Sequence, residues 1–417
     1  MRPLLLAALL VVPIGVRAQA RFDDDPPIQA DTTPGHGLLN LGFGHTGVSF
    51  GNSARWNGLR INIRDRGVQQ VNGINLTLWK AARDANQHAV INGLAAGLVA
   101  PEGGRLTGMS LGLVGVLAHQ RMLGINLGGL GLVSDGSIGG INVGGFGMVA
   151  DGRITGINLT GLGAVADGGM AGLSVAGLGI VADGGMSGIS VAGLGMVADG
   201  RIDGIALSGL GVVSNGRMRG VMVGGLGAVA DGGITGLAVA GLGAVTDGRI
   251  NGLGVAGLGV VTDGGLRGIG VAGLGVVSDG NIEGAVVAGL GAVADGDLTG
   301  LAVGGAGVVA DGRITGWAVT LGEVRGVQRI TGLATALYRI RTREALGLMV
   351  AGWITAESVT GFTVAGYTQV RGPQHGLAIG IYNDAWELHG VQIGLLNRAR
   401  NNKPPFRWVP LVNLHLH

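Results

Sequence analysis

The chain of 417 residues contains no cysteine. That absence removes disulfides, thiolate-bound zinc, iron–sulfur clusters, thiol catalysis and the cysteine to which a lipoprotein anchor is attached. Aromatic residues are scarce as well, with 6 Trp, 3 Tyr and 6 Phe, and charged residues make up only 13% of the chain. Against these shortages stand 89 glycines, about 21% of all residues, and a hydrophobic share of 47%. The hydrophobic share disfavours disorder, and glycine does not recur every third residue, which excludes a collagen helix. What remains is a glycine-rich, apolar, folded array.

Residues 1–20, MRPLLLAALLVVPIGVRAQA, carry a basic start at Arg2, an apolar run over 4–12 and the small-x-small pattern Ala18-Gln19-Ala20. This pattern predicts a secretory signal cleaved after Ala20, because the apolar run is far shorter than the roughly 20 residues a membrane-spanning helix needs. Residues 21–41 are polar and proline-bearing at their start and read as a flexible lead-in. The formal charge of +2 includes Arg2 and Arg17, so the chain left after cleavage has 26 basic and 26 acidic residues. Charge therefore lends no support to nucleic-acid binding.

From Gly124 the sequence repeats every 16 residues, giving twelve regular units over residues 124–315. With Gly124 as position 1, the consensus is G-[ILV]-x-[LV]-x-G-L-G-x-V-[AST]-D-G-x-[ILM]-x. Positions 6 and 8 are glycine and position 10 is valine in all twelve. Degenerate copies extend the array over residues 42–123 and 316–417, which read as capping segments, for 23 units in all. The interval from Gly73 to Gly93 is longer, at 20 residues, and predicts a short protruding loop or helical turn.

Apolar positions 2 and 4 share one parity, positions 7 and 10 break it, and the break falls between the two invariant glycines. Each unit is therefore expected to turn a corner there and again at Asp-Gly, which describes an all-β repeat β-solenoid with coils of about 16 residues. At about 4.8 Å per coil, 23 coils would make a rod of roughly 110 Å. Its narrow core is expected to hold Val, Leu and Ile but few rings, since Phe146 is the only aromatic residue of the regular units. The rival folds are an outer-membrane β-barrel, acting as pore or anchor, and a long β-meander, because each unit also offers about ten uncharged residues between turns. The regular units lack the Trp and Tyr girdles such a barrel carries.

The most regular polar feature is position 12, occupied by Asp135, Asp151, Asp167, Asp183, Asp199, Asp231, Asp247, Asp263, Asp279, Asp295 and Asp311, with Asn215 as the exception. Carboxylates spaced at one coil repel by about 1 kcal/mol in water. Calcium is the one cofactor this ladder could take, in a calcium-stabilised adhesin, although each unit supplies a single carboxylate and the spacing of calcium-binding β-rolls is absent. The plainer reading is a turn in which Asp accepts a backbone N–H and Gly adopts a positive φ. Arg153, Arg201, Arg217, Arg249 and Arg313 lie two residues further on and could offset the ladder's charge.

No catalytic residues are assigned. The regular units contain neither histidine nor lysine. The G-x-G-x-x-G matches at Gly252 and Gly268 arise by chance at this glycine content. His415 and His417 would share one face of a terminal strand, but a frayed polar end accounts for them more simply.

Residues 376–417, with Gly376-Leu-Ala-Ile-Gly-Ile-Tyr-Asn and Gly390-Val-Gln-Ile-Gly-Leu-Leu-Asn, and the early stretch from Trp56, resemble bacterial glycine-rich surface-repeat proteins of unknown function built from G-[LV]-x-I-G-[LI]-x-N units. The resemblance implies export to the periplasm, outer membrane or cell surface of a Gram-negative-type bacterium. It brings no catalytic residue and no identified partner, and the regular units depart from it by replacing the Asn with Gly. The expected role is therefore structural or interactive and not enzymatic.

Overall fold

The structure is a computed structural model and describes residues 37–81 and 86–415. The expected signal segment lies outside the described residues. The described chain is all-β, with no helix, and winds into a solenoid of about 20 turns.

One coil shows how the repeat becomes a turn of the solenoid. A long strand, Ile154–Thr160, leads into a corner at Gly161 and Leu162, followed by a short strand, Gly163–Ala166, and a second corner at Asp167 and Gly168. Both strands pair in parallel and in register with the next coil, as in Gly156↔Gly172 and Val165↔Val181. The two expected corners are thus where the parity breaks placed them. Parallel pairing between residues 16 apart excludes the barrel and the meander, both of which pair strands that are consecutive in the chain antiparallel.

Position 1 bends the long strand. Its glycines have φ between +99° and +135° in the regular coils, and a Cβ on Gly156 would lie 2.1 Å from the carbonyl oxygen of Gly140. No other residue fits that conformation and that approach, so glycine stacks on glycine along the whole rod.

The interior of the regular coils holds Ile, Leu, Val and Met and no ring, but it draws them from other positions than the recurrent 2, 4, 7 and 10. Positions 3, 5, 9, 11 and 15 point inward, while positions 2, 4, 7 and 10, which carry the recurrent Ile, Leu and Val, point outward. Large buried groups come from position 15, such as Ile154, Met170, Met186 and Ile202 at 0–3% exposure, and in several coils from position 9, as at Leu132, Met148, Ile180 and Met196. Burying each contributes about 1.5–3 kcal/mol. Ala166, Ala182 and Ala198 pack at position 11. Positions 3 and 9 are matched in size: Met222 accompanies Ala228, whereas Gly254 accompanies Val260, whose Cγ1 would lie 3.4 Å from a Cβ at Gly254. The two walls are too close to hold branched residues at every inward position, so small residues fill the remainder.

Part of the interior is polar. Asn126 donates to Asn142 at 2.7 Å, Asn142 donates to Asn158 at 2.7 Å, and Asn158 donates to the Ser174 hydroxyl at 3.2 Å. Near the N-terminal end, buried Arg60 pairs with Asp65 and donates to Asn75 at 2.6 Å and to Asn52 at 3.1 Å. Asn62 and Asn75 donate to the same carboxylate, so the Asp65 charge is well met, while the Arg60 Nε is left without a partner.

Both ends are closed by antiparallel strands. Residues 37–41, expected in the flexible lead-in, belong to strand Gly37–Phe43, which pairs antiparallel with Thr46–Gly51. Gly47, not Gly42, then stacks on Gly58 as the first coil position. At the other end Trp408–His415 pairs antiparallel with the stretch from Gly390 to Arg398. Beneath it runs a ring stack: Trp353 on Tyr367 at 5.3 Å, Tyr367 on Tyr382 at 5.2 Å and Tyr382 on Trp408 at 6.0 Å. Arg339 covers Trp353 and Arg398 covers Trp408, each at 4.6 Å. Of the long interval after Gly73, residues 82–85 lie outside the described residues, and 86–88 form a turn.

Candidate functional site

The short strand separates two corners of opposite chemistry, so the rod has a polar edge and an apolar edge. The polar edge carries the aspartate ladder. In all but the Asp247 corner the backbone N–H of the Asp, or of Asn215, donates to the position 11 carbonyl of the preceding coil or its counterpart, as Asp167 does to Ala150 at 3.1 Å. The corner is otherwise held differently from expectation. At three of the position 11 hydroxyls the oxygen accepts the N–H of the Gly two residues on, at 3.2 Å from Gly136 to Ser134, Gly216 to Ser214 and Gly248 to Thr246, whereas Thr262 and Ser278 donate to backbone carbonyls. Positive φ occurs not at the Gly of Asp-Gly but one residue later, at Gly169, Gly185, Gly233 and Gly265. Apart from Asp135 and Asp199, which His119 and Asn215 reach, the Asp side chains of the ladder face solvent.

Burial and the charges of their neighbours raise the carboxyls of Asp151, Asp183 and Asp263 above the usual carboxylate range. Asn215 interrupts the repulsion by donating to Asp199 at 3.0 Å. The arginines of the same corners do not neutralise the ladder. Arg201 pairs with Asp203 at 2.8 Å, Arg313 pairs with Asp297 at 2.9 Å, and Arg217 and Arg249 donate to backbone carbonyls. The carboxylates lie in a file, and no three acidic or histidine side chains converge on a metal position among the described residues. His417 is outside the described residues, and the ring of His415 contacts Asn402.

Sequence spacing did not reveal one polar cluster. His119 occupies the ladder position one coil before Asp135 and bridges Asp135 at 2.9 Å and Glu102 at 3.1 Å. Burial lowers its affinity for a proton, but the hydrogen bonds and charges of Glu102 and Asp135 outweigh that and raise its pKa. Glu102 lies in a degenerate coil, where position numbering is ambiguous from sequence.

The opposite edge is apolar. Position 7 forms a leucine ridge whose backbones hydrogen-bond coil to coil, Leu178 N–H to Leu162 and Leu194 N–H to Leu178, both at 2.7 Å. Ladders of positions 2 and 4 flank it on the long-strand face, and the position 10 valines flank it on the short-strand face. In one coil Leu178 is 46% exposed and Val181 39%, and in the next Ile189 is 43% exposed. In the twelve regular units none of these positions carries a charge. Between ladder 4 and the ridge runs a groove floored by glycine, opening to about 700 Å³ beside Leu111 and Leu127 and about 760 Å³ beside Val303 and Val319. Monomeric soluble proteins ordinarily keep contiguous apolar patches to roughly 300–600 Å². A stripe running the length of about 20 turns far exceeds that.

Comparison of the chain with protein-family models, curated proteins and solved structures returned no match, so the site stands on its own geometry.

Proposed function

We propose that the chain is an exported, non-enzymatic repeat protein that acts as a structural or interaction rod at the cell surface or outer membrane of a Gram-negative-type bacterium. The observation that carries this reading is the unbroken register of stacked coils from Gly47 to Gly390, which lines up an apolar ridge and, over residues 135–311, an aspartate ladder along one scaffold. The signal-like residues 1–20 and the resemblance to bacterial surface-repeat proteins support the location. A pore is not part of the proposal, because the fold is not a barrel. Small-angle scattering on the chain from Arg21 onward tests the rod: about 20 turns at about 4.8 Å each give a length near 100 Å. A compact particle would overturn the reading. Fractionation of cells expressing the full chain tests export, and retention in the cytoplasm would refute it.

A further inference from the structure

We infer that the apolar edge is a lipid-docking surface, on which the rod lies lengthwise against an anionic phospholipid bilayer. The inference rests on the rod reading above and assigns that rod a partner. The leucine ridge forms a protruding corner, and the Asp corner lies at the far end of the short strand. Each coil is therefore a wedge with an apolar tip and a polar base. Laid on a bilayer, the wedge buries the ridge and its glycine-floored groove among acyl chains and leaves the Asp ladder in water.

Two features choose lipid over a second copy of the chain. The first is that the stripe keeps apolar character without keeping shape. Position 2 passes through Ile, Leu, Val, Ala and, at its C-terminal continuation, Trp317 and Phe362, while position 7 passes through Leu, Phe146 and Ala306. Interdigitation with a rigid copy demands complementary shapes, whereas a fluid phase demands only low polarity.

The second is the chemistry that bounds the stripe. Trp79 and Tyr338 stand on the ridge near its two ends, 57% and 60% exposed, where amphipathic rings suit the headgroup level. At the C-terminal end the outward valine ladder gives way in register to arginine, Val309↔Arg325. Arg325, Arg339, Arg341, Arg343 and Arg371 line a cavity of about 390 Å³ there. Glu323 and Glu357 answer two of them, at 3.6 Å from Arg341 and 3.9 Å from Arg343. Arg325, at the position of the outward valines, has no carboxylate partner among the described residues, whereas Arg343 and Arg371 stand at the corner that carries the Asp ladder in earlier coils. A parallel second copy would set this cluster against itself. An antiparallel copy would set it against coils whose acids among the described residues, Asp65 and Glu102, are buried. Anionic headgroups supply the missing charge.

The test is co-sedimentation of the chain from Arg21 onward with phosphatidylglycerol/phosphatidylethanolamine vesicles and with phosphatidylcholine vesicles. Binding to the anionic vesicles is expected, with at least a tenfold loss in L178Q/L194Q/L210Q/L226Q and no loss in D167N/D183N. R325Q/R341Q is expected to weaken binding to anionic vesicles alone. Because the quadruple variant could misfold, a second readout uses the absence of native cysteine. An environment-sensitive dye on L194C should shift to the blue when vesicles are added, and the same dye on D199C should not. A rod of the expected length that binds neither vesicle overturns the inference and leaves the rod reading intact. A lipid-free dimer abolished by the leucine changes, without vesicle binding, overturns it in favour of a second copy. A compact particle in scattering overturns both readings.

Discussion

At the scale of single residues, glycine does two different jobs that composition cannot distinguish. At position 1 it combines positive φ with a backbone approach that excludes a Cβ; at position 8 of most coils, though not at Gly131, it has room. Gly188 has φ +100° and a Cβ there would lie 2.3 Å from the Gly172 oxygen, whereas the nearest atom to a Cβ at Gly195 is 3.8 Å away. Gly188→Ala should therefore destabilise by more than about 3 kcal/mol, since strain of this kind alone costs about 1–3 kcal/mol before the clash is added. Gly195→Ala should stay within about 1 kcal/mol of the parent. Chemical denaturation of the two variants side by side checks the pair. His119 supplies a second test. Its folded pKa is raised above the ordinary value near 6.5, so its stabilising contribution is fully present below that value and is lost as pH rises through the folded pKa. Melting temperature should fall over that window, and His119→Gln should flatten the fall.

At the scale of the coil, the aspartate ladder is a cost that the fold tolerates. A raised carboxyl pKa means that the folded state binds the proton more readily than the unfolded chain, so these groups favour folding as pH drops toward their pKa and oppose it at neutral pH. Asp183→Asn should raise the melting temperature at pH 7. The gain should shrink at high salt, because coil spacing is within the Debye length of about 8 Å. Chelation by EGTA should leave the melt unchanged, since each corner offers one solvent-facing carboxylate; a chelator-dependent melt would establish a calcium ladder instead. The wall-to-wall size matching of positions 3 and 9 also belongs to this scale. It explains why neither position shows a consensus although both are buried.

At the scale of the whole molecule, a stack of parallel coils has two open edges, and open edges recruit further strands. Here the antiparallel strands Gly37–Phe43 and Trp408–His415 cover them. Deleting residues 406–417 uncovers the coil from Gly390 and removes Trp408 from the ring stack. End-to-end association, visible as a concentration-dependent increase in rod length by scattering, is the expected result; a variant that stays a single rod at all concentrations would show that the last coil protects itself.

The 16-residue period, the two corners of each coil and the all-β solenoid were legible in the sequence, because period and parity are properties of the local chain. Gly156 and its counterparts mark the register by themselves, since their backbone geometry admits nothing larger. Which side of the strand faces inward was not legible. Alternation shows that Ile157 and Leu159 lie opposite Asn158 and Thr160, but parity is silent about which set the opposing wall can accommodate. That depends on how closely the short strand approaches, a distance set by tertiary packing around position 15. The narrow lumen accepts one or two large side chains per coil, from position 15 and often position 9, with Asn, Ser, Ala and Gly beside them, and the recurrent residues of positions 2, 4, 7 and 10 turn outward. The bridge from Glu102 through His119 to Asp135 likewise needed three coils brought into contact. The apolar edge, on which the functional proposal depends, exists only because the coil is too thin to bury it.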